Sequence, residues 1–222
     1  MPFKAISKFG KTTDIRIPEE EKEEIGISDI VSSVIRKRRS VRKYLKREVE
    51  DKLLEKIIEA ARYAPSTGNY QPWEFIIVRD EETKKDLVEA AYNQRWMLEA
   101  PIFIVVCINM RLAGAVYGER GIKLYGIQSV AAATENMLLM AESLNLATCW
   151  VGAFSELMIS RILEFPEYIR PCAIITLGYP AEEPQTPFRQ SIGEFTHIGR
   201  FGETLQLKSV KQEKKPTYMK FE

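Results

Sequence analysis

A helical pattern over about residues 121–146 is apolar on nearly every side. It contains the runs Ala131-Ala132-Ala133 and Met137-Leu138-Leu139-Met140-Ala141. A helix of this kind must be covered on several sides at once. The chain has only 222 residues, so a second subunit is a natural source of the extra cover, and we expect a homodimer.

Helical and strand patterns interleave along the rest of the chain. Helices are predicted over about residues 29–37, 49–63 and 81–92, and strands over 73–78, 102–108, 148–154 and 173–177. Ser28 is the expected cap of the first helix and Ser155 the cap of a short helix after the third strand. The apolar face of the first helix consists of Ile30, Val31, Val34 and Ile35. Interleaving of this kind indicates an α/β or α+β chain.

The domain organisation is simple, because the sequence has no internal repeat and no Gly/Ser linker. We expect an N-terminal arm over residues 1–27, one domain over 28–200 and a C-terminal extension over 201–222, whose last part is rich in lysine.

Composition excludes several classes of protein. The 32 Lys and Arg nearly cancel the 31 Asp and Glu, which argues against a dedicated nucleic-acid binder. No apolar run approaches the roughly 20 residues that cross a bilayer, and no signal peptide is expected. Three cysteines in apolar segments and a single histidine indicate a cytoplasmic protein with reduced thiols and no metal site. No GxGxxG follows a strand, so a resident NAD site is not supported.

Residues 36–47 form the densest cluster of basic residues. A solvated basic face, a nucleic-acid patch and an anion site are all compatible with this cluster, although near-zero net charge counts against the second. Three arginines with Ser40 suit a phosphate, because a guanidinium can bond two oxygens at once.

Two further segments can contact a ligand. Residues 65–73 place Ser, Thr, Asn and Gln beside a tryptophan, and such amides can bond a flat heteroaromatic edge that offers donors and acceptors; the alternative is an ordinary helix-to-strand loop. Gly152 at a strand end marks either a bulge or a place where the backbone approaches a ligand closely.

The order of these motifs resembles the nitroreductase family, whose members are FMN-dependent and mostly homodimeric. The matching motifs are Arg38-Arg39-Ser40-Val41-Arg42-Lys43-Tyr44, Ala64-Pro65-Ser66 through Asn69-Tyr70-Gln71-Pro72-Trp73, Asn93-Gln94-Arg95-Trp96, Cys149-Trp150-Val151-Gly152-Ala153-Phe154 and Leu177-Gly178-Tyr179-Pro180. They cover about residues 28–200. The resemblance implies an α+β, three-layer fold with a central, mostly antiparallel sheet flanked by helices, in an extensively intertwined dimer.

The resemblance also implies a role for each matching residue. Arg38, Arg39, Ser40 and Arg42 would hold the FMN phosphate and ribityl end, and Arg42 is also a candidate for the pyrimidine edge. Arg189 would complete the phosphate site, and Asn93 would bond the pyrimidine edge. The backbone N–H groups of Val151 and Gly152 would face flavin N5. From the other subunit, the residues that line the flavin ring would be Pro65, Ser66, Thr67, Asn69 and Gln71.

The implied activity is transfer of a hydride from NAD(P)H to flavin N5 and then, by a ping-pong mechanism, reduction of a small organic acceptor such as a nitroaromatic or quinone. The cofactor performs the redox chemistry, and no side chain is expected to act as a general acid. The same fold is also compatible with reductive dehalogenation, enoyl-type reduction, flavin fragmentation or a flavin-binding sensor without turnover.

The sequence departs from the family pattern at two places. Arg95 or Trp96 stands where several family members have a lysine near the pyrimidine edge, and the segment between Asn109 and Gly121 is short. Tyr117 and Tyr125 fall in the region that would cover the flavin, where they either stack on substrate or only pack. His197 is expected to be a surface or hydrogen-bonding residue and Cys149 an inert buried thiol.

Overall fold

Four strands form one antiparallel sheet in the order β1-β2-β4-β3. The computed structural model of the chain describes residues 26–203. The strands are β1 (Trp73–Val78), β2 (Ile102–Asn109), β3 (Ala147–Val151) and β4 (Ile169–Gly178). The central strand β2 is buried from Ile102 to Ile108, which explains why its sequence is a continuous apolar run rather than an alternating one.

Seven α-helices flank the sheet or extend from it in the described residues. Their bounds are α1 (Ile27–Lys37), α2 (Asp51–Arg62), α3 (Glu81–Ala90), α4 (Met110–Arg120), α5 (Gly126–Ser143), α6 (Glu156–Ile162) and α7 (Ile192–Phe195). Short 3-10 turns lie at Thr67–Asn69 and Arg95–Glu99, and a π-helical segment over Gly121–Tyr125 joins α4 to α5.

Two hydrophobic cores, one on each face of the sheet, make three layers. Ile104 of β2 packs with α2 and α5 on one face. Val105, the next residue, packs on the other face with side chains of α3 and α6 such as Leu87 and Ile159. Successive strand residues point to opposite faces, so a single strand serves both cores. The predicted α+β, three-layer architecture with an antiparallel sheet is confirmed.

The long apolar helix is present, and it begins in an unexpected way. The π-helical segment and α5 together cover Gly121 to Ser143, close to the predicted 121–146. The preceding helix α4 was not predicted. It kinks at Gly118, whose φ of 54° lies in the left-handed region that favours glycine, and the chain folds back there so that Gly121 lies against the backbone carbonyl of Ala113.

One predicted helix cap is confirmed, and one cap and one strand end are wrong. Ser155 caps α6 by accepting a hydrogen bond from the Met158 N–H at 3.3 Å, as predicted. Ser28 does not cap α1, because the helix already begins at Ile27 with Gly26 at the N-cap position and no side-chain cap. The predicted strand over 148–154 ends early, at Val151. Nearly all of the predicted arm (1–27) and extension (201–222) lies outside the described residues.

Within residues 26–203, no helix combines the length and the apolar character that crossing a membrane requires.

Candidate functional site

An extended segment over residues 38–42 lies along the outer edge of β3. The Val41 N–H donates to the Thr148 carbonyl at 3.0 Å, and Ser40 pairs with Thr148 as an isolated parallel bridge. Side chains of an extended segment point alternately to two sides. The basic motif is therefore divided between two sides of this edge.

One side carries Arg38, Ser40 and Arg42, which lie near Cys149 of β3. Burial raises the pKa of the Cys149 thiol, while the nearby Arg42 and Arg38 charges and a hydrogen bond from Ser40 oppose that rise. A raised thiol pKa leaves the sulfur protonated at neutral pH, which supports the interpretation of Cys149 as inert. The Arg38 Nε also lies 3.9 Å from a carboxylate oxygen of Glu135 on α5.

The other side carries Arg39, so the structure does not place it with the other three. Its guanidinium donates to the Thr186 hydroxyl at 2.8 Å and to the carbonyls of Arg36 and Arg38 at 2.5 and 2.8 Å. It lines a separate cavity of about 480 Å³, which Glu142 and Glu182 also line.

Arg42 is held by two contacts that the sequence did not indicate. Its guanidinium carbon lies 5.5 Å from the ring centroid of Trp96, and its backbone N–H donates to Glu182 Oε1 at 2.7 Å. Trp96 is one of the two residues, with Arg95, that stand near the position of the family's lysine. A cation stacked on an indole face keeps its donors free for a ligand.

Tyr44 anchors the segment over residues 38–42 to the sheet. Its buried hydroxyl lies 2.7 Å from the Val41 carbonyl, to which it donates, and 2.6 Å from the Thr176 hydroxyl on β4. The Thr176 hydroxyl in turn lies 3.4 Å from the Cys149 carbonyl. Burial holds the pKa of Tyr44 far above its usual range. Tyr44 therefore helps to hold the segment that carries Ser40 and Arg42, although its own side chain is buried.

The loop over residues 65–72 is an irregular turn held by its own polar groups. Gly68, Asn69 and Gln71 all have positive φ, at 59°, 57° and 49°. The Gln71 N–H donates to the Ser66 hydroxyl at 3.0 Å. The Gln71 amide reaches the Asn69 backbone oxygen at 3.3 Å. Non-glycine residues rarely hold positive φ, and this strain commonly marks a functional loop. Pro65 precedes the turn.

Thr67 connects this loop to α5, at a different side of the helix from Arg38. The Thr67 N–H donates to Ser129 Oγ at 3.3 Å, whereas Arg38 contacts Glu135. Six residues separate Ser129 from Glu135, which places them about 120° apart around a helix that turns 100° per residue. We call the loop over residues 65–72 the amide loop, and Arg38, Ser40 and Arg42 the arginine group. Within one chain the two therefore lie on different sides of α5.

The end of β3 lies beside the end of α3. The Gln94 amide donates to the Ala153 carbonyl at 3.1 Å. The Asn93 N–H donates to the Val88 carbonyl at 2.9 Å, and the backbone of Asn93 has a positive φ of 58°. A side-chain carbon added at Gly152 would meet no atom within 4 Å, so the backbone there faces open space. Val151, the residue before it, is buried.

Arg189 lies on the loop before α7, and its guanidinium donates to the Phe188 carbonyl at 3.2 Å. Its place in the phosphate site stays a prediction. Tyr44, Gln94 and Glu182 also make contacts here, and the sequence motifs assigned them no role. Trp96 had a signal, because it stands with Arg95 at a departure from the family pattern.

Comparison with known proteins gives the class of this chain. The model of the nitroreductase family matches residues 35–94 and 90–179. A Thermus thermophilus protein named NADH dehydrogenase is 35% identical over 174 residues, which cover 66% of this chain and 85% of that protein. A Bacillus subtilis protein named FMN reductase is 32% identical over 157 residues, 65% of this chain and 63% of that one.

Solved structures agree with this result. The NADPH:FMN oxidoreductase from Vibrio harveyi, solved with NAD+, matches with a TM-score of 0.72 and 25% identity over 78% of each chain. NfrA2 of B. megaterium matches with a TM-score of 0.72 and 29% identity, over 77% of this chain and 74% of that one. This chain belongs to the nitroreductase family. The predictions of that family and of an oxidoreductase are confirmed.

Proposed function

We propose that the chain binds FMN and uses it to transfer electrons from NAD(P)H to a small organic acceptor, a nitroaromatic or a quinone. The observation that carries this proposal is the placement of Arg38, Ser40 and Arg42 on the same side of an extended segment that bonds to the edge of β3. Two guanidinium groups and a hydroxyl form a donor set for a phosphate, and each is presented by a backbone that the sheet holds in place.

The remaining groups fit the flat ring of a flavin. The open space at Gly152 admits a ring close to backbone N–H groups. The amide loop offers the Asn69 and Gln71 side chains as donors and acceptors, and Asn93 stands near the end of β3. When bound, FMN supplies hydride acceptance and release at N5. The chain holds the ring and admits substrates from the open side.

The names of similar proteins support the choice of cofactor and reductant. The Bacillus subtilis relative is named an FMN reductase acting with NAD(P)H, and the Vibrio harveyi structure is an NADPH:FMN oxidoreductase. For a quinone, NAD(P)H and one proton give NAD(P)+ and the hydroquinone. For a nitroarene, the same two electrons, with two protons in total, give the nitroso compound and water. In the proposed ping-pong order NAD(P)+ leaves before the acceptor binds, so both substrates use one place.

We further propose that two copies of the chain share the site as a homodimer. No residue of α1 is buried, and its apolar face is open, with Ile30, Val31 and Ile35 each about half exposed. This face borders a groove of about 310 Å³ against α5, lined by Leu139 and Met140 among others. An exposed apolar patch of this kind is typical of a subunit interface. The separation of the amide loop from the arginine group around α5 supports a site completed by the partner.

The test is flavin retention and reduction. Purified protein is mixed with FMN and desalted, and its visible spectrum is recorded before and after anaerobic addition of NADH or NADPH. We expect bound flavin that bleaches within seconds. Retained flavin that neither nucleotide bleaches would favour a sensor, and absence of retained flavin would contradict the proposal.

A matched pair of variants tests the phosphate site. Arg38→Ala removes a charge-assisted contact, so the FMN dissociation constant should rise about tenfold or more. Arg47→Ala is the control, because Arg47 stacks on Tyr179 with a 3.9 Å separation from the ring centroid and is not part of the Cys149 group. Equal FMN affinity in both variants would contradict the assignment of Arg38.

A further inference from the structure

The tip of the hairpin formed by α4 and the π-helical segment carries a polar aromatic cluster. The chain reverses at Gly118, and close packing of Gly121 on Ala113 presses the two arms of the hairpin together. A π-helical turn is rare, and it frequently occurs at a functional site. Tyr117, Arg120 and Tyr125 lie around this reversal; we call these three residues the tip cluster.

Within the tip cluster, the Arg120 guanidinium is held by Tyr125, and the Tyr125 ring packs against the Tyr117 ring. The rings of Tyr117 and Tyr125 meet edge to face, with centroids 5.4 Å apart. Arg120 Nε donates to the Tyr125 hydroxyl at 2.7 Å, and the guanidinium carbon lies 5.2 Å from the centroid of the same ring. These contacts orient the guanidinium and use only one of its five N–H donors.

Arg120 has no carboxylate partner among residues 26–203. The adjacent Glu119 is paired with Lys123 at 2.5 Å, and the ion pairs of the described residues do not include Arg120. A guanidinium with unused donors, in an exposed position beside the Tyr125 ring, can bind a carboxylate in the bidentate geometry that arginine favours.

The tip cluster lies directly against the amide loop. An edge carbon of the Tyr117 ring lies 3.7 Å from the position that a side-chain carbon on Gly68 would occupy. Ser129 joins the two parts from below: its hydroxyl accepts from the Thr67 N–H at 3.3 Å and donates to the Tyr125 carbonyl at 2.8 Å. The tip cluster therefore lies next to the amide loop, which the proposed function assigns to the flavin ring.

From this geometry we infer that the tip cluster selects acceptors that carry a carboxylate on an aromatic ring. Arg120 binds the carboxylate, Tyr125 orients Arg120, and the Tyr117 ring packs on the acceptor's ring. The inference rests on the proposed function, because the amide loop borders the flavin only if that function is correct. Tyr117 is 44% exposed, so its ring has free surface for a ligand.

The experiment compares 4-nitrobenzoate with nitrobenzene, which share a ring and a nitro group and differ in the carboxylate. Wild-type protein, loaded with FMN, should show a higher kcat/KM for 4-nitrobenzoate. Arg120→Gln should reduce the ratio of the two kcat/KM values about tenfold, the usual effect of one charge-assisted contact, mainly through KM. Tyr125→Phe should reduce the ratio in the same direction by a smaller factor.

Lys123→Gln is the matched control, because it removes another exposed cation three residues away, which Glu119 already neutralises. This control should leave the ratio unchanged. A ratio that Arg120→Gln does not alter, in protein that still reduces both acceptors, would overturn the inference. If Arg120→Gln instead raises KM for NADPH relative to NADH and leaves the acceptor ratio as it was, the anion is the donor's phosphate, and the inference is also overturned.

A binding measurement separates this inference from the proposed function. Calorimetric titration with 4-nitrobenzoate needs no turnover and should give a dissociation constant about tenfold higher for Arg120→Gln than for wild type. Discrimination by binding without reduction of any acceptor would uphold the tip cluster and contradict the proposed function. Reduction of both acceptors without discrimination between them would uphold the proposed function and contradict the role of the tip cluster.

Discussion

Tyr44 shows how much of the site depends on one side chain outside it. Its hydroxyl lies within hydrogen-bond distance of the Val41 carbonyl and the Thr176 hydroxyl in a fully buried position. Tyr44→Phe leaves these groups without their partner, so we expect the free energy of unfolding to fall by about 1–3 kcal/mol. Urea unfolding followed by circular dichroism measures the change. Tyr63→Phe, in a ring that is 73% exposed, is the control, and equal midpoints for the two variants would contradict the prediction.

Some contacts at the residue scale have no local signal in the sequence. The extended conformation of the basic motif separates Arg39 from Arg38 and Ser40, because side chains alternate; the role of Arg39 at the phosphate stays a prediction. The stacking of Arg42 on Trp96 joins residues 54 positions apart in the sequence, and no local pattern predicts such a contact. Ser155 was predictable as a cap because the cap and its helix are adjacent in the chain.

Among the elements, α5 packs so closely on the sheet at its first residue, Gly126, that a side chain there has no room. A side-chain carbon at Gly126 would collide with Ile108 of β2 and lie 2.9 Å from the Ala113 side chain. Gly126→Ala should therefore destabilise the fold by about 1–3 kcal/mol through overpacking. Thermal unfolding checks this, with Gly152→Ala as control because nothing surrounds that position. A Gly126→Ala variant as stable as the control would contradict the packing argument.

Elements with a strong pattern were predictable, and elements without one were not. Strand β2 was predictable because burial on both faces gives a continuous apolar run. Helix α5 was predictable because its apolar residues extend beyond its buried face to Leu139 and Met140, which line the groove. Helix α4 was missed because Gly114 and Gly118 lower helix propensity and several of its apolar side chains, such as Val116, are exposed. Its formation depends on contact with the following segment rather than on local preference.

For the whole molecule, the open apolar face of α1 predicts a dimer that a single charge can disrupt. Val31 is 51% exposed beside the groove against α5. Val31→Lys would place an unpaired charge in the proposed interface, so the dimer dissociation constant should rise at least about a hundredfold. Sedimentation velocity over a dilution series gives the constant.

The control for the dimer is Lys56→Glu, a charge change at an exposed position of α2 outside the residues that line the groove. We expect it to leave the mass unchanged. A wild-type chain that sediments as a monomer while it retains FMN tightly would contradict the shared site. A Val31→Lys dimer as tight as wild type would contradict the role of α1.

Trp150 gives this protein an optical signal for cofactor binding. It is 39% exposed on a strand whose other residues are buried, and it directly precedes Val151 and Gly152. Indole emission overlaps flavin absorption, so a flavin at Gly152 would quench the fluorescence of Trp150 by energy transfer. Cofactor loading can then be followed in real time at micromolar protein without any label, and the Trp150→Phe variant identifies the emitting residue.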